Sequence, residues 1–103
     1  MDPIYLLGGE TMAFAIAFKP VGMDVARYDE CIRRLEAAGA GAPAGRLYHA
    51  CHGSGDQLRV FDVWESMETF QAFGSTLGPI LQALGVDPGA PEITPIHNVV
   101  APG

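Results

Sequence analysis

Three side chains with chemical potential fall on two neighbouring stretches of the chain. His49 lies in RLYHACH (46–52), and Asp62 and Trp64 lie in LRVFDVW (58–64). Imidazole changes charge near neutral pH, so His49 suits a general base toward a phenol or an acidic C–H. Asp62 would orient that base or bind a substrate hydroxyl, and Trp64 offers stacking area with one N–H donor. Each also has a plain structural reading. His49 can hydrogen-bond a neighbour in the core, Trp64 can simply pack, and Asp62 can pair with Arg46 or Arg59. A carboxylate on an apolar face costs several kcal/mol (roughly, after relaxation) unless it is paired or wet.

Other candidates are weaker. Tyr28 and Tyr48 are hydroxyl donors or packing residues. Cys51 is a small apolar wall residue; as a nucleophile it would need a neighbour that lowers its pKa, and none is evident. Cys31 and Cys51 lack CxxC spacing, so structural zinc is unsupported and free thiols in a reducing cytoplasm are expected. A disulfide between them would require the two positions to face each other. His49 and His52 fall on opposite faces of a strand, which argues against a metal site with His97. Gly53 and Gly55 sit in a hairpin rather than before a helix, so no phosphate-binding loop is present and no cofactor is expected.

The elements that must position these groups are legible from periodicity. LRVFDVW alternates, with Leu58, Val60, Asp62 and Trp64 on one face and Arg59, Phe61 and Val63 on the other. At Ser66, a good N-cap, the period changes: Met67, Phe70, Phe73 and Leu77 recur at helical spacing. Pro79 is expected to split this helix into Met67 to Leu77 and Pro79 to Leu84. Upstream, Met12 to Phe18 (MAFAIAF) is a strand apolar on both faces, and Asp24 caps a helix to Ala38 with Val25, Tyr28, Ile32 and Leu35 as its stripe. The Gly- and Ala-rich loop after it is a connection or a rim over a cleft.

Arg46 to His52 is the second strand, and Gly53 to Asp56 is a turn signal. Centring the hairpin there opposes Cys51 to Leu58, His49 to Val60 and Leu47 to Asp62. Leu47, His49 and Cys51 then share the face of Asp62 and Trp64; a one-residue slip would present Tyr48 and His52 instead. Glu92 to Val100 is the last strand, with Pro95 suiting an edge or bulge. Residues 1–11 read as an N-terminal arm, without the basic and apolar regions of a signal peptide, ordered at most against a partner.

The order β-α-β-β-α-β implies an α+β, ferredoxin-like domain over residues 12–103: a four-stranded antiparallel sheet with both helices on one face. The chain has 103 residues, 49% of them hydrophobic and 17% charged, with a net charge of −6. That balance argues against nucleic acid and anionic membrane as partners, because the six basic residues are few and scattered. A sheet apolar on both faces favours a homodimer that covers the face without helices.

The third strand running into its helix as VFDVWESMETFQAF, with PILQALG and PIHNVV beyond it, resembles the antibiotic-biosynthesis-monooxygenase-like proteins of the dimeric α/β-barrel superfamily. The resemblance spans nearly the whole chain. It implies that two subunits close their sheets into a barrel, each keeping a cleft between sheet and helices, and that Trp64 lines that cleft. Family members include cofactor-free oxygenases, so the expected ligand is a small apolar or aromatic molecule. Joined to the reading of the residues above, the expected chemistry, if any, is cofactor-free oxygenation or a related proton abstraction, with His49 as base, Asp62 as its orienter and Trp64 as the platform. The expected ligand-lining set is Trp64, Tyr28, Leu47 and Cys51. Haem degradation is disfavoured, since the first strand lacks Asn and the second helix lacks His. The rival is a non-catalytic binding or assembly module. An isomerase or decarboxylase on the same scaffold is a third class.

Overall fold

The computed structural model describes residues 13–100. The elements are β1 (Phe14–Phe18), α1 (Val25–Ala37), β2 (Arg46–His52), β3 (Arg59–Trp64), α2 (Met67–Ala83) and β4 (Glu92–Pro95). The strands form one antiparallel sheet in the order β2-β3-β1-β4. This is the expected ferredoxin-like arrangement. The N-terminal arm and Met12 lie outside the described residues.

Period-2 alternation sends Phe14, Ile16 and Phe18 of β1 and Val60, Asp62 and Trp64 of β3 to one face, where they pair across the ladder. That face is the core. Fully buried Ile16 and Trp64 meet Cys31 and Leu35 from α1 and Phe73 and Leu81 from α2. The opposite face carries Ala15, Ala17, Phe61 and Val63, and Tyr48 and Ala50 beside them. Tyr48 there is 56% exposed and rests edge-on against Phe61.

Both helix starts are capped as expected. The Asp24 carboxylate accepts from the Arg27 N–H at 2.8 Å and the Ser66 hydroxyl from the Thr69 N–H at 3.2 Å. The α1 stripe differs from expectation at its start. Val25 is 55% exposed, and Cys31 is buried among Tyr28, Ile32 and Leu35 instead. The apolar face therefore begins one turn later than the sequence pattern suggests.

α2 is a single helix with Pro79 inside it, not two. Proline removes the bond to the carbonyl four residues back, that of Ser75. Ser75 and Pro79 are both exposed, so the freed carbonyl lies on the solvent side and the helix continues without a buried unsatisfied group. β4 ends at Pro95 rather than running to Val100, because proline cannot donate to the ladder. One further bond, Ile96 N–H to the Ala13 carbonyl at 2.8 Å, follows it.

The β2-β3 register also differs. His49 pairs with Asp62 and Cys51 with Val60, not with Val60 and Leu58. The connection is longer than a turn at 53–56, since the strands stop at His52 and resume at Arg59. Gln57 N–H closes a turn onto the Ser54 carbonyl at 3.0 Å, and Leu58 is buried as an anchor outside the strand. Gly53 adopts φ +101°, where a Cβ would come within 2.6 Å of the Gln57 carbonyl oxygen. A shift of two residues preserves facing, so His49 and Cys51 remain on the core side. A bulge between Arg46 and Tyr48 then breaks the alternation: Arg46 pairs with Trp64, and Leu47 is the extra residue.

Candidate functional site

Between the sheet and the two helices lies a cavity of about 70 Å³. Its walls are largely apolar: Phe18 and Val60 from the sheet, Ile32 and Leu35 from α1, Phe70, Phe73, Leu77 and Leu81 from α2. Pro20 and Pro88 line it too, on segments joined by reciprocal backbone bonds between Val21 and Asp87 at 2.7 and 2.9 Å. The polar wall is made of Tyr28, Arg46, His49 and Asp62.

Three of these groups form one chain. The Tyr28 hydroxyl lies 2.6 Å from His49 Nε2, and His49 Nδ1 lies 2.6 Å from Asp62 Oδ1. Trp64 Nε1 donates to Asp62 Oδ2 at 3.1 Å. An ionised carboxylate only accepts, so His49 Nδ1 carries the proton it gives Asp62. With the proton on Nδ1 alone, Nε2 is an acceptor and the Tyr28 O–H donates to it. The Tyr28 and His49 rings are nearly parallel, 3° apart. Asp62 is only 3% exposed, but both its oxygens are satisfied, which meets the cost of burying a carboxylate. Its partners are His49 and Trp64 rather than Arg46 or Arg59. Arg59 donates to the Gln57 and Leu58 carbonyls.

Burial pushes the Tyr28 phenol above its ordinary value; the charges of Cys51, Asp62 and Cys31 add to this, while the Arg46 guanidinium pulls the other way. Burial likewise raises the Cys51 thiol, with Asp29 adding to it, and raises Cys31 against the opposing effect of Arg34. Raised thiols are poor nucleophiles, and both cysteines are free.

Of the residues singled out from sequence, Tyr28, His49 and Asp62 come together. Trp64 belongs to the same network but does not line the cavity. Its indole is fully buried, edge-on to Phe70 and tilted against Phe73, and those two rings form the wall it supports. Cys51 shares the sheet face and packs against the core without bordering the cavity. Leu47 is displaced by the bulge, is 42% exposed and borders a second, shallower hollow beside Gly41, Ala42 and Pro43. Arg46 takes its place on the cavity wall. Alternation alone assigns Arg46 to the wrong face, and no local feature of RLYHACH announces the bulge.

No family model matches the chain, and no curated protein matches it in sequence. Solved structures do match. A proposed antibiotic biosynthesis monooxygenase from Chloroflexus aurantiacus is 20% identical, with a TM-score of 0.57 over 88% of this chain and 97% of that one. SnoaB, a cofactor-independent oxygenase from Streptomyces nogalater, is 19% identical with a TM-score of 0.52, over 87% and 94% of the two chains. The ActVA-Orf6 monooxygenase from Streptomyces coelicolor, solved with the ligand Nanaomycin D, is 17% identical with a TM-score of 0.51, over 90% and 94%. By element order, sheet topology and these overlays, the chain has the ferredoxin-like fold of the antibiotic-biosynthesis-monooxygenase-like proteins.

Proposed function

We propose that the cavity binds a small apolar or aromatic molecule and that the Tyr28–His49–Asp62 chain removes a proton from it, preparing a stabilised carbanion for cofactor-free reaction with oxygen. The observation that carries this reading is the chain itself, two contacts of 2.6 Å leading from a buried carboxylate to a phenol on the polar wall of an otherwise apolar cavity. Such linkage lets the Tyr28 oxygen accept a substrate proton as its own passes to His49 Nε2, with Asp62 offsetting the imidazolium charge. The relay thus refines the sequence-based reading of His49 as the base: Tyr28 is the group that meets the substrate. The apolar walls exclude water from the anion. For a carbon acid with an activated methylene, the overall change balances as methylene plus dioxygen giving ketone plus water. Both C–H bonds break, one oxygen atom becomes the carbonyl and the other leaves as water. The carbon loses four electrons and dioxygen gains them. The solved oxygenases of the same fold support this choice of chemistry over isomerisation or decarboxylation.

Anthrone is a suitable probe, because two aryl rings and a conjugated carbonyl stabilise its carbanion. Incubated with the protein and a chelator in an oxygen electrode, it should consume one oxygen per anthraquinone formed, saturably with anthrone. A rate no faster than in protein-free buffer, for anthrone and for a panel of related phenols and carbon acids, would sink the catalytic reading. The binding-module alternative draws support from the same geometry: every buried polar side-chain atom among the described residues has a partner, as a purely structural network also requires.

The reading includes a homodimer. Ala15, Ala17, Phe61, Val63 and Tyr48 give the helix-free face an apolar centre that a second sheet would cover. Light scattering at micromolar concentration should give twice the 10.9 kDa chain mass; single chains would exclude it. The two free cysteines favour a reducing compartment such as the cytoplasm, and no helix among the described residues is long and apolar enough to cross a membrane.

A further inference from the structure

Arg46 stands where the apolar cavity meets the shallower hollow, and it borders both. A guanidinium has five N–H donors. Among the described residues their protein acceptor is the Gly41 carbonyl at 3.3 Å, while Cζ sits 5.6 Å from the centre of the Phe73 ring. The contrast with the arginines of α1 is informative; Arg59, which also lacks a carboxylate partner, donates instead to the Gln57 and Leu58 carbonyls and borders neither hollow. Acidic residues outnumber basic ones by 12 to 6, and all three arginines of α1 have carboxylate partners: Arg27 with Asp24, and Arg33 and Arg34 with Glu30. Among the described residues Arg46 has none. The chain has thus placed a half-buried cation, without an acidic partner, on the wall of a largely apolar cavity, where desolvation disfavours it.

Its position is built rather than incidental. The bulge turns Arg46 toward the core face. The preceding Gly45, at φ +87°, passes so close to α2 that a Cβ would collide with the Thr69 side chain, and its carbonyl accepts from the Glu65 N–H at 2.8 Å. The Phe73 ring lies under the guanidinium and offers it an aromatic face. The charge acts on the polar end of the cavity, since it opposes the burial-driven rise at Tyr28.

We propose that Arg46 is the anchoring residue of this cavity and that it selects an aromatic acid, a planar ring system carrying a carboxylate, over the neutral molecule. Planar, forked donors match a carboxylate in a way that lysine does not. The inference rests on the reading of the cavity as a ligand site, and it names the class of ligand.

The test is calorimetric titration of 2-naphthoate and of its methyl ester, which share a ring system and differ in charge. In the wild-type protein both bind, one per chain. Arg46→Gln should weaken naphthoate by about 10- to 100-fold and the ester by less than about threefold. Arg46→Lys, which keeps the charge and a stem that can lie on Phe73, should recover part of the loss, and it carries the test if the Gln variant is less stable. Equal weakening of both ligands would overturn the assignment and leave Arg46 a packing residue in a genuine ligand cavity. Failure of both ligands to bind the wild type would overturn the cavity reading and the inference together.

Discussion

Tyr28→Phe should lower turnover by about 10²- to 10⁴-fold, the usual worth of a positioned acid–base group, while the melting temperature falls by no more than about 10 °C. The substitution removes one oxygen and leaves the His49–Asp62 and Trp64–Asp62 bonds in place. Its structural cost is the loss of one half-buried hydrogen bond, about 0.5–1.5 kcal/mol. His49→Ala is the obvious variant from sequence, and the structure shows why it is less clean. It would strip Asp62 Oδ1 of its donor inside the core, so reduced activity and reduced stability would arrive together. Oxygen uptake and thermal melting on the same Tyr28→Phe preparation decide the matter. Unchanged turnover would remove the phenol from the mechanism. A large drop in melting temperature would recast the chain as structural.

Trp64→Ala should destabilise the fold by about 3–5 kcal/mol, the range for deleting a buried aromatic side chain. Two losses combine. The indole is fully buried and holds Phe70 and Phe73 in place, so its removal opens a cavity behind the wall they form. It also leaves Asp62 Oδ2 without the Nε1 donor. Trp64→Phe separates the two effects: it keeps much of the volume, removes the donor, and should cost about 1–3 kcal/mol for the unsatisfied oxygen. Against a domain stability of about 5–15 kcal/mol, both variants are measurable by urea unfolding. A cost below about 1 kcal/mol for the alanine variant would show that the indole is not a keystone of this core. The expectation follows from burial, and it differs from that for a ligand platform, whose loss would weaken binding and leave stability nearly intact.

Much of this molecule follows from local rules. The alternation of LRVFDVW and the switch at Ser66 fix a strand, a cap and a helix, because side-chain direction with period 2 or 3.6 depends only on the backbone of that segment. The same rule puts His49, Asp62 and Trp64 on one sheet face, and element order then leads to the ferredoxin-like arrangement. Three things needed the tertiary structure. The register of β2 against β3 is set by the length of the 53–58 connection and the seating of Leu58, which no alternation pattern encodes. The exchange of Leu47 for Arg46 on the cavity wall follows from one bulge, whose energy depends on the neighbouring strand and on Gly45 against Thr69. The meeting of Tyr28 with His49, 21 residues apart, depends on how α1 lies across the sheet. Facing is a property of a segment and can be read from it; contact is a property of packing, and packing sums over residues that sequence spacing does not bring together.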